Sequence, residues 1–162
     1  LCNAIFTLSD NKTGALIVIE QKTKLGEQID TGVTLNAAIS EELIGNIFFV
    51  NTPLHDGAVI IRDGRILAAA CFLPKPQKEE HIASHLGSRH RAAIGISEIS
   101  DAITIVVSEE TGTVSITQEG ELKRNFNKQS LKKFLTDNLI HKTNSEETLK
   151  LPSFWKKKSK KD

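Results

Sequence analysis

Hydrophobic positions along the chain follow two rhythms. Leu1, Ile5 and Leu8 repeat at helical spacing and predict the end of a helix. Gly14–Glu20, reading GALIVIE, is continuous, apolar and β-branched, the pattern of a strand buried on both faces, and the polar stretch Gln21–Thr31 after it predicts a loop. Apolar positions 39, 43, 44, 47 and 48 return to the 3.6-residue period and predict a helix with Asn36 as its N-cap and an end near Phe49. The runs Ala58–Ile61 and Arg65–Leu73 flank Asp63-Gly64, a dipeptide suited to a two-residue hairpin turn, and Pro74 and Pro76 stop the second strand.

After a polar, breaker-rich stretch over 75–88, the pattern predicts a short helix Arg89–Ile99 and a buried strand Ala102–Val107. A turn at Thr111-Gly112 leads into a strand Thr113–Thr117, and a last helix carries apolar positions 131, 134, 135 and 139. About five strands and four helices without regular βαβ alternation predict an α/β (α+β) fold. Its two hairpins point to a mixed central β-sheet surrounded by helices. Residues 1–140 read as a single domain and 141–162 as a polar, basic tail. No internal repeat of 20 to 50 residues is visible.

Composition narrows the class. With 39% hydrophobic and 25% charged residues in 162, the chain can bury a core without staples, so Cys2 and Cys71 need not pair. They have no short-range partners and read as reduced thiols of an intracellular protein. No run approaches the roughly 20 apolar residues that cross a bilayer, and LCNAIFTLSD lacks the basic flank of a signal peptide. The sequence contains no Met and starts at Leu1, so it is expected to be cut from something longer. The net charge of +1 conceals an uneven distribution: residues 1–140 hold 14 Lys/Arg against 17 Asp/Glu, and 141–162 hold 7 Lys against 3 acids.

P-loop and Rossmann glycine signatures are missing, as are the nucleophile elbow and the HExxH zinc motif. His81, His85 and His90 have a spacing that suggests a metal, but no carboxylate sits between the first two, and solvated loop histidines are the better account. Three segments stand out. Asn51–Ala58 (NTPLHDGA) sets an imidazole and a carboxylate at the entrance to an apolar strand, followed by two small residues that let a ligand approach the backbone. There Asp56 can take a proton from a hydroxyl or hold a metal. The blander reading is a turn. Gly87–Ala93 (GSRHRAA) gathers guanidinium forks, a hydroxyl and free backbone N–H groups at a helix start, as a polyphosphate site needs; the alternative is a basic helix face paired with acids such as Glu98. Ser108–Gly112 (SEETG) ends a buried strand with acids that either complete a cation site with His55 and Asp56 or solvate a turn.

Taken in order, TGALIVIE, NTPLHDGAVII, LGSRHRAAIGISE and TIVVSEETG resemble the catalytic domain of the diadenylate cyclases, over about Gly14 to Gly120. The likeness is strongest to the membrane-associated cyclase of Gram-positive bacteria. It implies one ATP per protomer, cyclic di-AMP as product and a divalent cation, Mn2+ or Mg2+ with Co2+ as a further candidate. By the same resemblance Asp56 activates the ribose 3′-hydroxyl, and Gly57 and Ala58 line the nucleotide. Gly87, Ser88, Arg89, His90 and Arg91 form the phosphate-binding segment, and Ser108 joins the nucleotide contacts. Relatives often carry Thr at Ser88, and here the hydroxyl is kept. His55, Asp56 and Glu110 would hold the cation, with Glu109 as the alternative to Glu110. Phe72 stands where relatives commonly place Tyr, keeping the stacking ring and losing one polar contact. Leu16 and the backbone of Leu73 would finish the base pocket.

The chemistry agrees with this. Joining a 3′-hydroxyl to an α-phosphate is an in-line displacement that needs charge neutralisation, a base and placement. Two ATP-bearing protomers must face each other, so a face-to-face homodimer is implied. Regulatory protein partners and a place on the cytoplasmic face of the membrane for the longer protein, with this fragment soluble, are further expectations. The rival reading is a catalytically silent ATP- or cyclic di-AMP-binding regulatory module. Nucleic-acid binding rests only on Lys156–Lys161, for which a solvated or membrane-proximal basic end is the better account.

Overall fold

A computed structural model describes residues 1–140. The basic-tail reading of 141–162 lies outside them. The chain divides into two compact units, Leu1–Lys128 and Gln129–Asp162.

In the first unit seven strands form one sheet in the order β2-β4-β3-β1-β5-β6-β7. They are β1 (Ala15–Ile19), β2 (Val33–Ala38), β3 (Ala58–Arg62), β4 (Arg65–Cys71), β5 (Ile103–Val107), β6 (Val114–Gln118) and β7 (Glu121–Lys123). Only β1 and β3 pair in parallel, and every other neighbour is antiparallel, so the mixed sheet expected from the hairpins is what forms. β1 is buried at all five positions because the sheet is covered on both sides. Leu16 and Val18 share one face with Ala58, Ile60, Ala68 and Val106, packed on Ala93 and Ile96 of helix α4 (Ser88–Ile99), with Ile29 of α2 (Gly26–Asp30) at the margin. By the two-residue period of a strand, Ala15, Ile17 and Ile19 point the other way. On that side α1 (Cys2–Asp10), burying Ala4, Ile5 and Leu8, lies on β5 and against α3 (Glu41–Ile47).

The hairpin at Asp63-Gly64 forms as predicted, both residues taking positive φ (49° and 73°), the signature of the turn whose twist matches its strands. A second two-residue turn, Glu119-Gly120 (φ 53° and 77°), joins β6 to β7, a strand too short to register in the hydrophobic pattern. Two expectations are corrected. The stretch predicted as a loop over Gln21–Thr31 contains α2, a single uncapped turn and a half with no apolar period to announce it. Asn36 does not cap a helix: it sits at φ 47° in a bulge of the edge strand β2, held by Arg65 Nε to its side-chain oxygen at 2.9 Å. The cap of α3 is Ser40, whose hydroxyl accepts from Leu43 N at 3.1 Å. The closing helix, α5 (Lys128–Leu135), buries Leu131 and Leu135 and runs on as a π turn over Thr136–Ile140.

Two features hold the frame that carries the site. Glu20, at the end of β1, accepts from Arg62 Nε and Nη2 (2.7 and 2.8 Å), Leu25 N (2.9 Å) and Lys24 Nζ (3.0 Å). Burial by itself would raise its pKa, but these donors, Arg62 foremost, outweigh it and hold the carboxyl down at about 2. Gly95 on α4 lets the chain after β4 cross the helix, since a Cβ there would stand 2.1 Å from Pro74 O and 2.8 Å from Lys75 C.

Both have measurable consequences. The stabilisation from Glu20 is complete above about pH 4.5 and is lost as pH falls toward about 2. In urea titrations Glu20→Gln should cost about 2 kcal/mol at pH 7, and the gap to wild type should narrow steadily as pH falls from 4.5 toward about 2; a constant gap would show that the carboxylate is not the source. Gly95→Ala, meeting backbone atoms that cannot yield, should lower stability by more than about 2 kcal/mol in the same assay.

Candidate functional site

The registers bring distant segments to one end of the sheet. β1 and β3 both start there, with Ile17 opposite Val59, so Gly57 and Ala15 are neighbours. β5 and β4 both finish there, with Val107 opposite Ala15 and Cys71 opposite Ala58. At about 4.8 Å per strand, the ends of β4, β3, β1 and β5 span roughly 15 Å. Phe72, Asp56–Ala58, Gly14 and Ser108–Glu110 thus share a single edge.

The start of α4 sits on this edge. Its N-cap, Gly87, makes no side-chain cap bond, which leaves first-turn N–H groups available. The Arg89 guanidinium lies over Gly14, where a Cβ would come within 2.7 Å of Nη1, and it pairs with Glu109 Oε2 at 3.1 Å. The segments SRHR and SEE, twenty residues apart, therefore meet over Gly14, whose missing side chain leaves room for the Arg89 guanidinium. Between Gly87–His90 and Ser108–Thr111 lies a cleft of about 210 Å3, with His85 and Arg124 also on its wall. Ser108 Oγ braces the acidic turn by accepting from Glu110 N and Thr111 N, each at 3.3 Å. Ser9 at the end of α1 donates to Gly112 O and anchors the same turn from behind.

His90 is not a solvated loop histidine as its spacing suggested. It is 5% exposed on the buried side of α4. Burial first, then the positive charge of Arg124, lowers its pKa, so it stands neutral at pH 7. Its Nε2 and the Nε of Arg89 are buried without a hydrogen-bond partner, an arrangement that a bound group would complete.

The DGA segment occupies the same edge but does not line that cleft. Asp56 is exposed, and Ala58 is fully buried as the first residue of β3. Gly57 takes φ +97°, and a Cβ there would stand 2.8 Å from Ala70 C and 2.9 Å from Cys71 O, so only glycine lets the DGA turn lie against the end of β4. His55 Nδ1 is 2.7 Å from Thr52 O; donating to that carbonyl leaves its Nε2 lone pair free for a ligand. Among the described residues no three His, Cys, Asp or Glu side chains form a metal-holding group, so His55, Asp56 and Glu110 are not preassembled. Of the base-pocket candidates, Leu16 is buried in the core, Leu73 packs against that core, and Phe72 is 74% exposed with its N–H on Thr31 Oγ1 at 2.8 Å. Ser88 is exposed and Arg91 half-buried one turn into α4. Sequence reasoning missed Gly14, legible only as the first residue before an apolar run, and Arg124, which follows a strand that left no signal.

Residues 2–122 match the family model DAC, described as DisA bacterial checkpoint controller nucleotide-binding. The chain is 46% identical over 158 residues to cyclic di-AMP synthase CdaA of Bacillus subtilis, covering 98% of this chain and 57% of that protein. It thus spans little more than half the length of that relative. A solved double mutant of DacA from Staphylococcus aureus superposes with a TM-score of 0.83 at 43% identity, over 86% of this chain and 92% of that one. A Bacillus cereus structure, named a hypothetical membrane spanning protein, gives 0.73 at 47% identity, over 77% of this chain and 61% of that one.

Gly14→Ala separates site from scaffold. The added methyl meets the far end of the Arg89 side chain, which can swing aside, so the thermal midpoint should hardly move. Nucleoside triphosphate binding, measured by calorimetry, should weaken about tenfold; unchanged binding would mean that Arg89 is not held for a ligand.

Proposed function

Because the chain belongs to the DAC family, we propose that this domain is a diadenylate cyclase, condensing two ATP into cyclic di-AMP with release of two pyrophosphates. The observation that carries the reading is the meeting of Arg89, Glu109 and the open start of α4 over Gly14, on the edge where Asp56 stands. That is a phosphate-binding cleft beside an exposed carboxylate on one rigid sheet end.

In this reading the adenine stacks on Phe72, whose ring is free on the surface, and Leu73 and the tightly turned Gly57-Ala58 backbone bound the nucleoside. Leu16 supports that wall from within the core. Gly87, Ser88, Arg89 and Arg91 receive the phosphates, with Ser108 at the opposite wall. Arg89 exchanges Glu109 for phosphate oxygens, and the neutral His90 contributes hydrogen bonding and shape while the two arginines supply the positive charge. Asp56 takes the proton of the 3′-hydroxyl as that oxygen attacks the α-phosphate and pyrophosphate departs.

A divalent cation, Mn2+ or Mg2+, would add charge neutralisation at the reacting phosphate. The free Nε2 of His55 and the exposed Asp56 carboxylate fit as two of its protein ligands, and Glu110 or Glu109 would approach once substrate is bound. Each protomer carries one such edge, so two face each other in a homodimer, each hydroxyl meeting the other's α-phosphate. No helix among the described residues is long and apolar enough to cross a membrane. In this reading the domain works at the cytoplasmic face of a membrane; the likeness to a Bacillus cereus protein named as membrane spanning supports the membrane link.

Incubation with ATP and Mn2+ should yield cyclic di-AMP by mass spectrometry. Asp56→Asn should lower turnover at least about a thousandfold while ATP binding survives. Tight ATP binding with no product at high protein concentration would favour a silent nucleotide-binding module instead, and normal cyclisation by the variant would remove the role given to Asp56.

A further inference from the structure

Arg124 carries a charge that no carboxylate among the described residues cancels. β7 runs antiparallel to β6, with Lys123 opposite Ile116, so the chain returns toward the site end of the sheet and delivers Arg124 beside Ser115. Its Nη1 lies 3.1 Å from Nε2 of His85, and both side chains line the 210 Å3 cleft at the start of α4. A guanidinium can only donate, so His85 accepts as a neutral imidazole and orients the arginine without neutralising it. Among the described residues no carboxylate pairs with Arg124, whereas Glu109 meets Arg89 and Glu20 meets Arg62.

The other side of the cleft is short of partners as well. His90, 5% exposed, has an unpartnered Nε2, and Arg89 an unpartnered Nε. An unpaired cation, two orphaned polar atoms and the start of a twelve-residue helix converge there, and that combination suits an anion with several oxygens.

The strand order says which part of the anion. Along the edge the sequence is β4, β3, β1, β5, β6, β7, with Phe72 and Asp56 at one end, Arg89 and Glu109 at the middle, and Arg124 beyond β6. We propose that Arg124 is a substrate-binding residue that grips the terminal phosphates of the nucleoside triphosphate, the part that leaves as pyrophosphate, and so makes the cleft select a triphosphate over a monophosphate. This rests on the cyclase reading for the identity of the nucleotide and not for the existence of the anion site.

The test uses the 162-residue chain with Mg2+ and two ligands that cannot cyclise, 3′-deoxy-ATP and 3′-deoxy-AMP, measured by calorimetry. Arg124→Gln should weaken 3′-deoxy-ATP binding about tenfold or more and 3′-deoxy-AMP binding less than about twofold, with Arg124→Lys recovering part of the loss and thermal midpoints unchanged. Equal affinity of wild type and Arg124→Gln for the triphosphate would overturn the proposal, as would an equal loss for both ligands, which marks a structural role. A wild-type chain that shows this Arg124-dependent selectivity but makes no cyclic di-AMP from ATP would sustain the proposal and remove the cyclase reading alone. Failure of wild type to bind 3′-deoxy-ATP would overturn both.

Discussion

The pairing of β1 with a parallel β3 on one side and an antiparallel β5 on the other is the constraint on which the site depends. Two strand beginnings and one strand ending then share an edge, and each contributes the residue next to its last apolar position: Gly14, the DGA turn and Ser108-Glu109. Every position of β1 is buried, so slipping its register by one residue would turn each side chain to the opposite layer. The core thereby sets the alignment of the polar edge. Glu20 and Arg62, joined by two hydrogen bonds at the far ends of β1 and β3, tie the same two strands together.

Upon that frame, close approach depends on missing side chains. Gly14 makes room for Arg89, Gly57 for the end of β4, and Gly95 for the chain leaving β4 above α4. Each glycine sits where two elements that carry site residues would otherwise collide. Their joint effect is to draw the DGA turn, the first turn of α4 and the acidic turn after β5 onto one edge.

Electrostatics on this edge are unevenly settled. Arg89 has a carboxylate, that of Glu109, at 3.1 Å. His90 is neutral and buried. Arg124 is held by an imidazole and retains its full charge toward the cleft. The domain is acidic in its first 140 residues, so this local concentration of cations stands out against the rest of the chain and supports the proposed polyphosphate site.

Much of this was legible in the sequence where the signal is local. Continuous β-branched runs became β1 and β5, Asp63-Gly64 became a hairpin turn, and the DGA, SRHR and SEE segments stood out by residue type and lie at strand and helix ends on one edge. The misreadings share a cause. α2 and β7 are short, and β2, though six residues long, has no buried position, so no period of buried positions marks them. Asn36 reads as a helix cap by composition because Asn suits both a cap and a left-handed bulge, and only the partner strand's Arg65 decides between them. By itself the sequence determined the buried strands, the turns and the segments that carry candidate reactive groups, since these follow from side-chain type and spacing. Strand register together with the packing of α4 on the sheet decided that Arg89 lies over Gly14, that His90 is buried, and that Arg124 returns to the edge, because those contacts join residues whose separation along the chain carries no trace of their proximity in space.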